Sequence, residues 1–561
     1  MIMKRLGLLL MAAVTLTGCS KLGQLDKENF AVTPDPLEVT DGKVLAVIGG
    51  RFPTSYMKKK AVVTITPELR YAGGKAVGTP QTFQGEKVQD NNTVVSKKYG
   101  ANFTLRSSFK YIPEMAQSEL WLTFDAKNGK KVAKINDVMI GSGTIATSTL
   151  LQRSVLDANS ATGHDAYQYA IQQSKNAEIK YLISQSLVRN SELKSVSVQD
   201  FVKTLRAIKA DQKGFSMEGI EVSAYASPDG KMSFNEKLAE AREKSAGAYV
   251  SNELKNIKLD ADVAGKYTAE DWEGFQEIVS ASNIQDKEII LRVLSMYSDP
   301  EEREQQIKNL SAAYTELANE VLPALRRARL RVNYSLIGRS DDEIKQQFVD
   351  DASKLSVEEL LYGATLVDDE GQKESYLKYA AEKYPDDYRA YNNLAQLALK
   401  NGQVAQAKSY LAKAGDAQEV KANQALIALS EGNPEQAEIL LGQATNVENY
   451  NEVLGNICIA RGEYTEAAKL LGNSSTNSAA LAQLLANDYF SAEKTLGQVK
   501  KPNATTSYLK ALVAARRGQT QDVISNLTEA FKKDGSLKQR AAKDLEFVSF
   551  YNNTAFQNLV K

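Results

Sequence analysis

The stretch AYASPDGKMSFNEKLAEAREKSAGAYV, residues 224–250, decides how the middle of this 561-residue chain is read. It opens on the end of GIEVSAYA (219–226), whose β-branched and aromatic residues suit a strand. Pro228, Asp229 and Gly230 break that run with three turn-forming residues. Ser233 and Glu236 have the S-x-x-E spacing in which two side chains satisfy free backbone N–H groups at a helix start. Asn235, Leu238 and Arg242 follow at i, i+3 and i+7, so they share one helix face. A guanidinium beside Leu238 must reach an acceptor or extend to solvent.

Further out, Ile179, Tyr181 and Ile183 alternate with Lys180 and Ser184 as an earlier strand. Phe201, Leu205 and Ile208 have helical spacing. In 329–336, Leu330, Val332, Tyr334 and Leu336 alternate with Arg329, Arg331, Asn333 and Ser335. Residues 177–340 are therefore expected to form an α+β domain, interrupted by a helical insertion over about 260–325. Within the insertion, Trp272 and Phe275 are read as core, and Asp299, Pro300, Glu301 and Glu302 as a helix start.

In that setting 224–250 resembles the OmpA-like C-terminal family, which reads roughly G-H-T-D-x-x-G and then N-x-x-L-S-x-x-R-A. Gly230, Asn235, Leu238 and Arg242 fall in register, and LRRARLRV (325–332) resembles the family's closing segment. The resemblance covers about 177–338. It implies binding of the peptide stem of peptidoglycan, with a helix arginine and a loop aspartate on the carboxylate and amine of its diamino acid. Arg242 matches that arginine; Ser227 stands at the aspartate position, Tyr225 at the histidine and Ala224 at the first glycine. Asp229 offers a carboxylate two residues further on. The resemblance thus names Arg242, Asn235, Ser227 and Asp229 as ligand-binding residues. For Arg242, a structural tie to a loop carbonyl is the alternative.

From about 352 to 561 a helical pattern repeats with a period near 30. Gly402, Gly432, Gly462 and Gly518 each end a helix. Five residues later come Ala407, Ala437, Ala467 and Val523, and nine later Leu411, Leu441, Leu471 and Leu527. Seven earlier stand Ala395, Ala425, Gly455 and Ala511. This small-small-large spacing resembles tetratricopeptide repeats, and implies about six repeats over 355–532, a degenerate one near 478–500, and closing helices over 533–561. Cys458 fills a small-residue position. Such solenoids bind proteins or peptides on a concave face.

Residues 41–145 read as an all-β, sandwich-like domain: short Val/Ile/Thr/Phe/Tyr-rich runs with Gly73-Gly74 and Asn128-Gly129 turns. Residues 146–176 are Ser/Thr/Gln-rich and read as a linker, and 19–40 as a polar tether. The opening MIMKRLGLLLMAAVTLTGCS has Lys4 and Arg5, an apolar run, and Leu16-Thr17-Gly18-Cys19, which resembles a bacterial lipobox. Residues 1–18 are accordingly expected as a signal peptide and Cys19 as a lipidated anchor in the cell outer membrane. SKLGQLDKEN lacks a dense acidic run after the cysteine, which favours the periplasmic face.

Lys+Arg and Asp+Glu are both 69, which argues against a nucleic-acid partner. One histidine, His164, excludes histidine triads, and no G-x-S-x-G motif is present, so no catalytic, metal or cofactor site is expected. The chain is thus expected to be multidomain: an all-β domain, an OmpA-like α+β domain and an all-α repeat solenoid. Its expected role is a non-enzymatic envelope scaffold linking the outer membrane to peptidoglycan or to protein partners. The alternative is a surface-exposed adhesin, or an accessory to fimbrial or outer-membrane-protein assembly.

Overall fold

A computed structural model describes residues 22–284, 287–309 and 311–561; the expected signal peptide and Cys19 lie outside the described residues. The chain divides into two units, one running to Asp165 and resuming over Val367–Lys561, the other spanning Ala166–Leu366. Among the described residues, no helix is long and apolar enough to cross a membrane.

The first unit begins with eleven strands: β1 Phe30–Thr40, β2 Lys43–Phe52, β3 Ala61–Tyr71, β4 Gly74–Val77, β5 Gln81–Gly85, β6 Thr93–Val95, β7 Ala101–Lys110, β8 Ser118–Asn128, β9 Lys131–Ala133, β10 Val138–Ser142 and β11 Thr144–Ile145. One mixed sheet has the order β11-β1-β2-β7; the other runs β10-β8-β3-β5-β6, with β4 on β3 and β9 on β8. Every second residue points inward: Val44 and Ile48 from β2, Val63 and Ile65 from β3, and Leu120 and Leu122 from β8 join one buried cluster. Gly50 pairs with Phe103 across β2 and β7, and a Cβ there would fall 2.1 Å from the Phe103 ring. The bare glycine lets that ring lie across the strand, its centroid 4.6 Å from Phe83 and 4.9 Å from Phe52.

This β-sheet-rich region starts earlier than its sequence pattern suggests. Leu22 and Leu25 are buried in it, and β1 occupies the second half of the segment read as a tether. Pro34 and Pro36 hid the strand. They coincide with a register shift between Thr33 and Glu38 that splits the alternation of Phe30 and Val32 from that of Leu37 and Val39.

The second unit has a four-stranded mixed sheet of β12 Ala170–Lys180, β13 Phe215–Tyr225, β14 Val263–Thr268 and β15 Arg327–Ile337, in the order β12-β15-β13-β14. Helices Val196–Ala210 and Met232–Ile257 pack on it through a core that includes Ile179, Phe201, Leu205, Ile220, Val222, Leu330 and Val332. Strand β12 starts at Ala170, not near 177, pairing with β15 from Ala170↔Ile337 to Lys180↔Arg327. Its first five residues are exposed, so no buried face marks them in the sequence and they resemble the linker before them. Strand β14 likewise lies inside the segment expected to be helical.

Helix Met232–Ile257 begins one residue before Ser233, and its N-cap, Lys231, makes no side-chain cap. The proposed Ser233–Glu236 box is therefore not what starts it. The insertion folds as helices Trp272–Ala281, Lys287–Met296, Pro300–Asn309 and Ser311–Glu320. Phe275, Val279, Ile290 and Leu294 form their own core, with Trp272 packed against it, as expected for core residues.

Candidate functional site

In the first unit, helix Glu370–Lys383 leads into five helix pairs: Tyr388–Lys400 with Val404–Leu411, Gln418–Ser430 with Pro434–Leu441, Tyr450–Arg461 with Tyr464–Leu470, Asn477–Leu485 with Tyr489–Gln498, and Ala504–Arg516 with Thr520–Lys533. Ala395, Ala407, Ala425, Ala437, Ala467 and Ala511 form the seam and have no exposed surface. At Gly455 a Cβ would fall 2.6 Å from Leu471 Cγ, so this contact has room only for hydrogen. Gly432 and Gly462 follow their helices at φ +77° and +80°, the left-handed region that glycine enters freely. Cys458 is buried on this seam, and burial pushes its thiol up to about 11, which leaves it a packing residue.

The segment read as a free linker lies against these helices. Leu150, Leu151, Val155 and Ala161 belong to the same buried cluster as the repeats. Beyond Ala158 the segment has neither helix nor strand up to the unit's end, and asparagines hold its backbone. Asn423 accepts the Ala161 N–H at 2.8 Å through its side-chain oxygen and donates to the Ala161 carbonyl at 2.8 Å. Asn392 donates to the same carbonyl at 2.9 Å. Asn393 brackets Gly163 similarly, accepting its N–H at 2.8 Å and donating to its carbonyl at 2.9 Å. Gln396 donates to the Ser160 carbonyl and Asn449 to that of Asn159.

Side chains of this strap are also held. Asn477 and Asn503 both donate to the Asp157 carboxylate, and Arg153 pairs with Asp534. Burial pushes the Asp157 carboxyl up, against the two amide donors that favour its charge. Glu452, 5% exposed, also has its carboxyl pushed up by burial; Ser474 and Thr476 donate to it, and Asn159 lies 3.5 Å away. Gly163 is pressed against Arg389, whose Cα would lie 2.9 Å from an added Cβ. Asn392 and Asn423 sit 31 residues apart, close to the repeat period. Two buried asparagines at that spacing on helices of small residues are the signal in the sequence that marks this groove.

The four residues named by the OmpA-like resemblance come together in the second unit, paired with one another and with the backbone. Arg242 has no exposed surface and donates to the carbonyls of Gln185 at 3.0 Å, Tyr225 at 2.8 Å and Leu182 at 3.3 Å. Burial pulls its guanidinium down to about 10. Asn235 donates to the carbonyls of Ser227 and Gly230, each at 3.1 Å, and so ties the turn to the helix. Ser227 donates to Asp229, and Arg326 donates to Ser227 at 3.3 Å and to Asp229 at 3.0 Å. Arg326, in the LRRARLRV run, was not singled out from sequence; it supplies the cation that Asp229 faces.

A model of the tetratricopeptide repeat matches residues 376–409, the end of the leading helix and the first helix pair. The C-terminal half carries a tetratricopeptide repeat region. Among solved structures, a tetratricopeptide repeat protein from Parabacteroides merdae ATCC 43184 aligns at 12% identity over 46% of this chain and 98% of its own, with a TM-score of 0.27. Pseudomonas aeruginosa pilF aligns at 18% identity over 38% of this chain and 98% of its own, with a TM-score of 0.23. Yeast Tom70 aligns at 12% identity over 65% of this chain and 86% of its own, with a TM-score of 0.22. No curated protein matches the sequence.

Proposed function

We propose that this chain is a non-enzymatic envelope scaffold, anchored by lipid on Cys19 at the periplasmic face of the outer membrane, that acts by holding protein partners. The observation that carries this reading is the repeat groove, whose polar lining is mainly amide: Asn392, Asn393, Asn423, Asn449, Asn477 and Asn503. An amide donates and accepts hydrogen bonds but does not take up a proton near neutrality, which suits recognition of peptide backbone rather than catalysis.

For the OmpA-like domain, protein is favoured over peptidoglycan. The two charges that would meet a zwitterionic stem are already engaged, Arg242 by three carbonyls and Asp229 by Arg326.

Cross-linking in intact envelopes, followed by purification of the full-length protein, tests the reading. Defined envelope proteins are expected as products, and Cys19→Ala should release the chain from the membrane fraction. Full-length protein that sediments with purified peptidoglycan, and ceases to do so as Asp229→Asn, would overturn the protein-only role of this domain.

A further inference from the structure

The strap at 157–163 behaves as a ligand in its own groove. Its contacts with the array fall on backbone at Asn159, Ser160, Ala161 and Gly163, groups that any extended chain supplies. The side chains the groove constrains most are a carboxylate at Asp157, a small residue at the fully buried Ala161 and no side chain at Gly163, while the half-buried Thr162 accepts from Gln396 at 3.0 Å through its hydroxyl.

One position is poorly matched. Asn159 meets the buried Glu452 carboxylate through its backbone N–H and, at 3.5 Å, its side-chain amide, both uncharged donors, and among the described residues no Lys or Arg pairs with Glu452. Beside it, the side-chain oxygens of the buried Asn449 and Asn477 have no protein donor. A buried carboxylate without a cation is costly, and it is relieved by a basic side chain.

We propose that this groove is the binding site for an extended partner segment of the pattern Asp-x-(Lys/Arg)-x-Ala-x-Gly, and that the strap is its weaker resident occupant, displaced when the partner arrives. The basic residue stands where Asn159 now lies and pairs with Glu452. The proposal rests on the repeats being a protein-binding module, which envelope cross-linking tests separately, because partners captured elsewhere on the array would leave that reading standing.

Two labelled peptides test it, one with the sequence of 153–165 (RSVLDANSATGHD) and one with lysine at the third residue of the motif (RSVLDAKSATGHD). The full-length Ala161→Trp chain, whose strap no longer fits while every groove residue is unchanged, should bind the lysine peptide about tenfold tighter than the native-sequence peptide. Glu452→Gln in that background should erase the difference. On the wild-type chain, saturating lysine peptide should raise hydrogen exchange over 157–163. Gly163→Val serves as the strap-expelling variant if Ala161→Trp does not fold by circular dichroism. Absence of a lysine preference on the strap-expelled chain, or unchanged exchange of the wild-type strap at saturation, overturns the proposal.

Discussion

Asn423 brackets Ala161, taking its N–H and its carbonyl through the two ends of one amide, both at 2.8 Å. Both residues are fully buried, so neither backbone group has water as a substitute. Asn423→Leu keeps the branched shape but orphans the Ala161 N–H and leaves its carbonyl with Asn392 as the one remaining donor. An orphaned buried polar group costs about 1–3 kcal/mol, so the variant should lower the thermal midpoint and open 158–165 to protease before the array itself unfolds. Asn423→Asp keeps the acceptor but sets a buried carboxylate against the Ala161 carbonyl and the Asn392 oxygen, and should show a larger loss that shrinks as acid protonates it. Cleavage in the strap no faster than wild type for both variants would show that the bracket contributes nothing.

The strap should hold more tightly in mild acid. Burial raises the folded pKa of Asp157 and of Glu452, so the docked state binds their protons more strongly than the released state does. The cost of their charge is fully present above the folded pKa and disappears as pH falls through it to the unfolded value. Other charges at the strap do not reverse this: Asp534, held at about 2 by Ser536 and Arg153, stays ionised, and Glu448, which faces His164, is lowered overall by the Thr162 N–H and His164 despite burial. Proteolysis of 158–165 should therefore slow between pH 7 and pH 5 in a His164→Gln background, which removes the one imidazole. Asp157→Asn should flatten that dependence, leaving only the part due to Glu452.

The repeat seam was legible because small and large residues recur at fixed offsets from each glycine, and the fold keeps those offsets as contacts. The α+β unit was legible wherever a strand had one buried face. What escaped were segments whose stabilising partners lie far away in sequence. Residues 158–165 have the composition of a solvated linker because asparagines more than 200 residues later supply their hydrogen bonds. Residues 30–40 hid behind two prolines. Of the candidate site, Arg242, Asn235, Ser227 and Asp229 lie together because one turn and the helix after it carry all four. What could not be read was Arg326, nearly 100 residues on, which occupies the carboxylate that a ligand would need.

Two glycines of the repeats should respond to alanine with opposite sign. At Gly455 the added methyl meets Leu471 carbons at 2.6 Å and 2.9 Å, and overpacking of this kind costs about 1–3 kcal/mol. At Gly497, in helix Tyr489–Gln498, nothing lies within 4 Å of the added atom. There alanine should stabilise by roughly 0.5–1 kcal/mol, through lower backbone entropy of the unfolded chain. Ala437→Arg, on the same seam as Gly455, should be worse than either. Thermal melts of the full-length variants check all three, and a stabilising Gly455→Ala would contradict the close approach of its helix to Leu471.

Arg242 should behave as a structural residue of the second unit. Its side chain gathers the carbonyls of Leu182, Gln185 and Tyr225, which lie on two separate chain segments, onto the helix. Arg242→Ala strands those acceptors around a cavity and should destabilise the unit by about 1–3 kcal/mol or more. Arg242→Lys should recover only part of the loss, because an ammonium is a single point and cannot span three carbonyls set around a planar fork. The readout is hydrogen exchange of 182–186 and of the end of β13, which should rise in both variants and more in the alanine. A ligand-binding arginine would give the reverse pattern: unchanged exchange, an unchanged melt, and loss of a binding activity that the wild-type chain possessed. If Arg242→Ala melts like wild type, the three carbonyl contacts do not hold the unit together, and the guanidinium is free to serve a ligand after all.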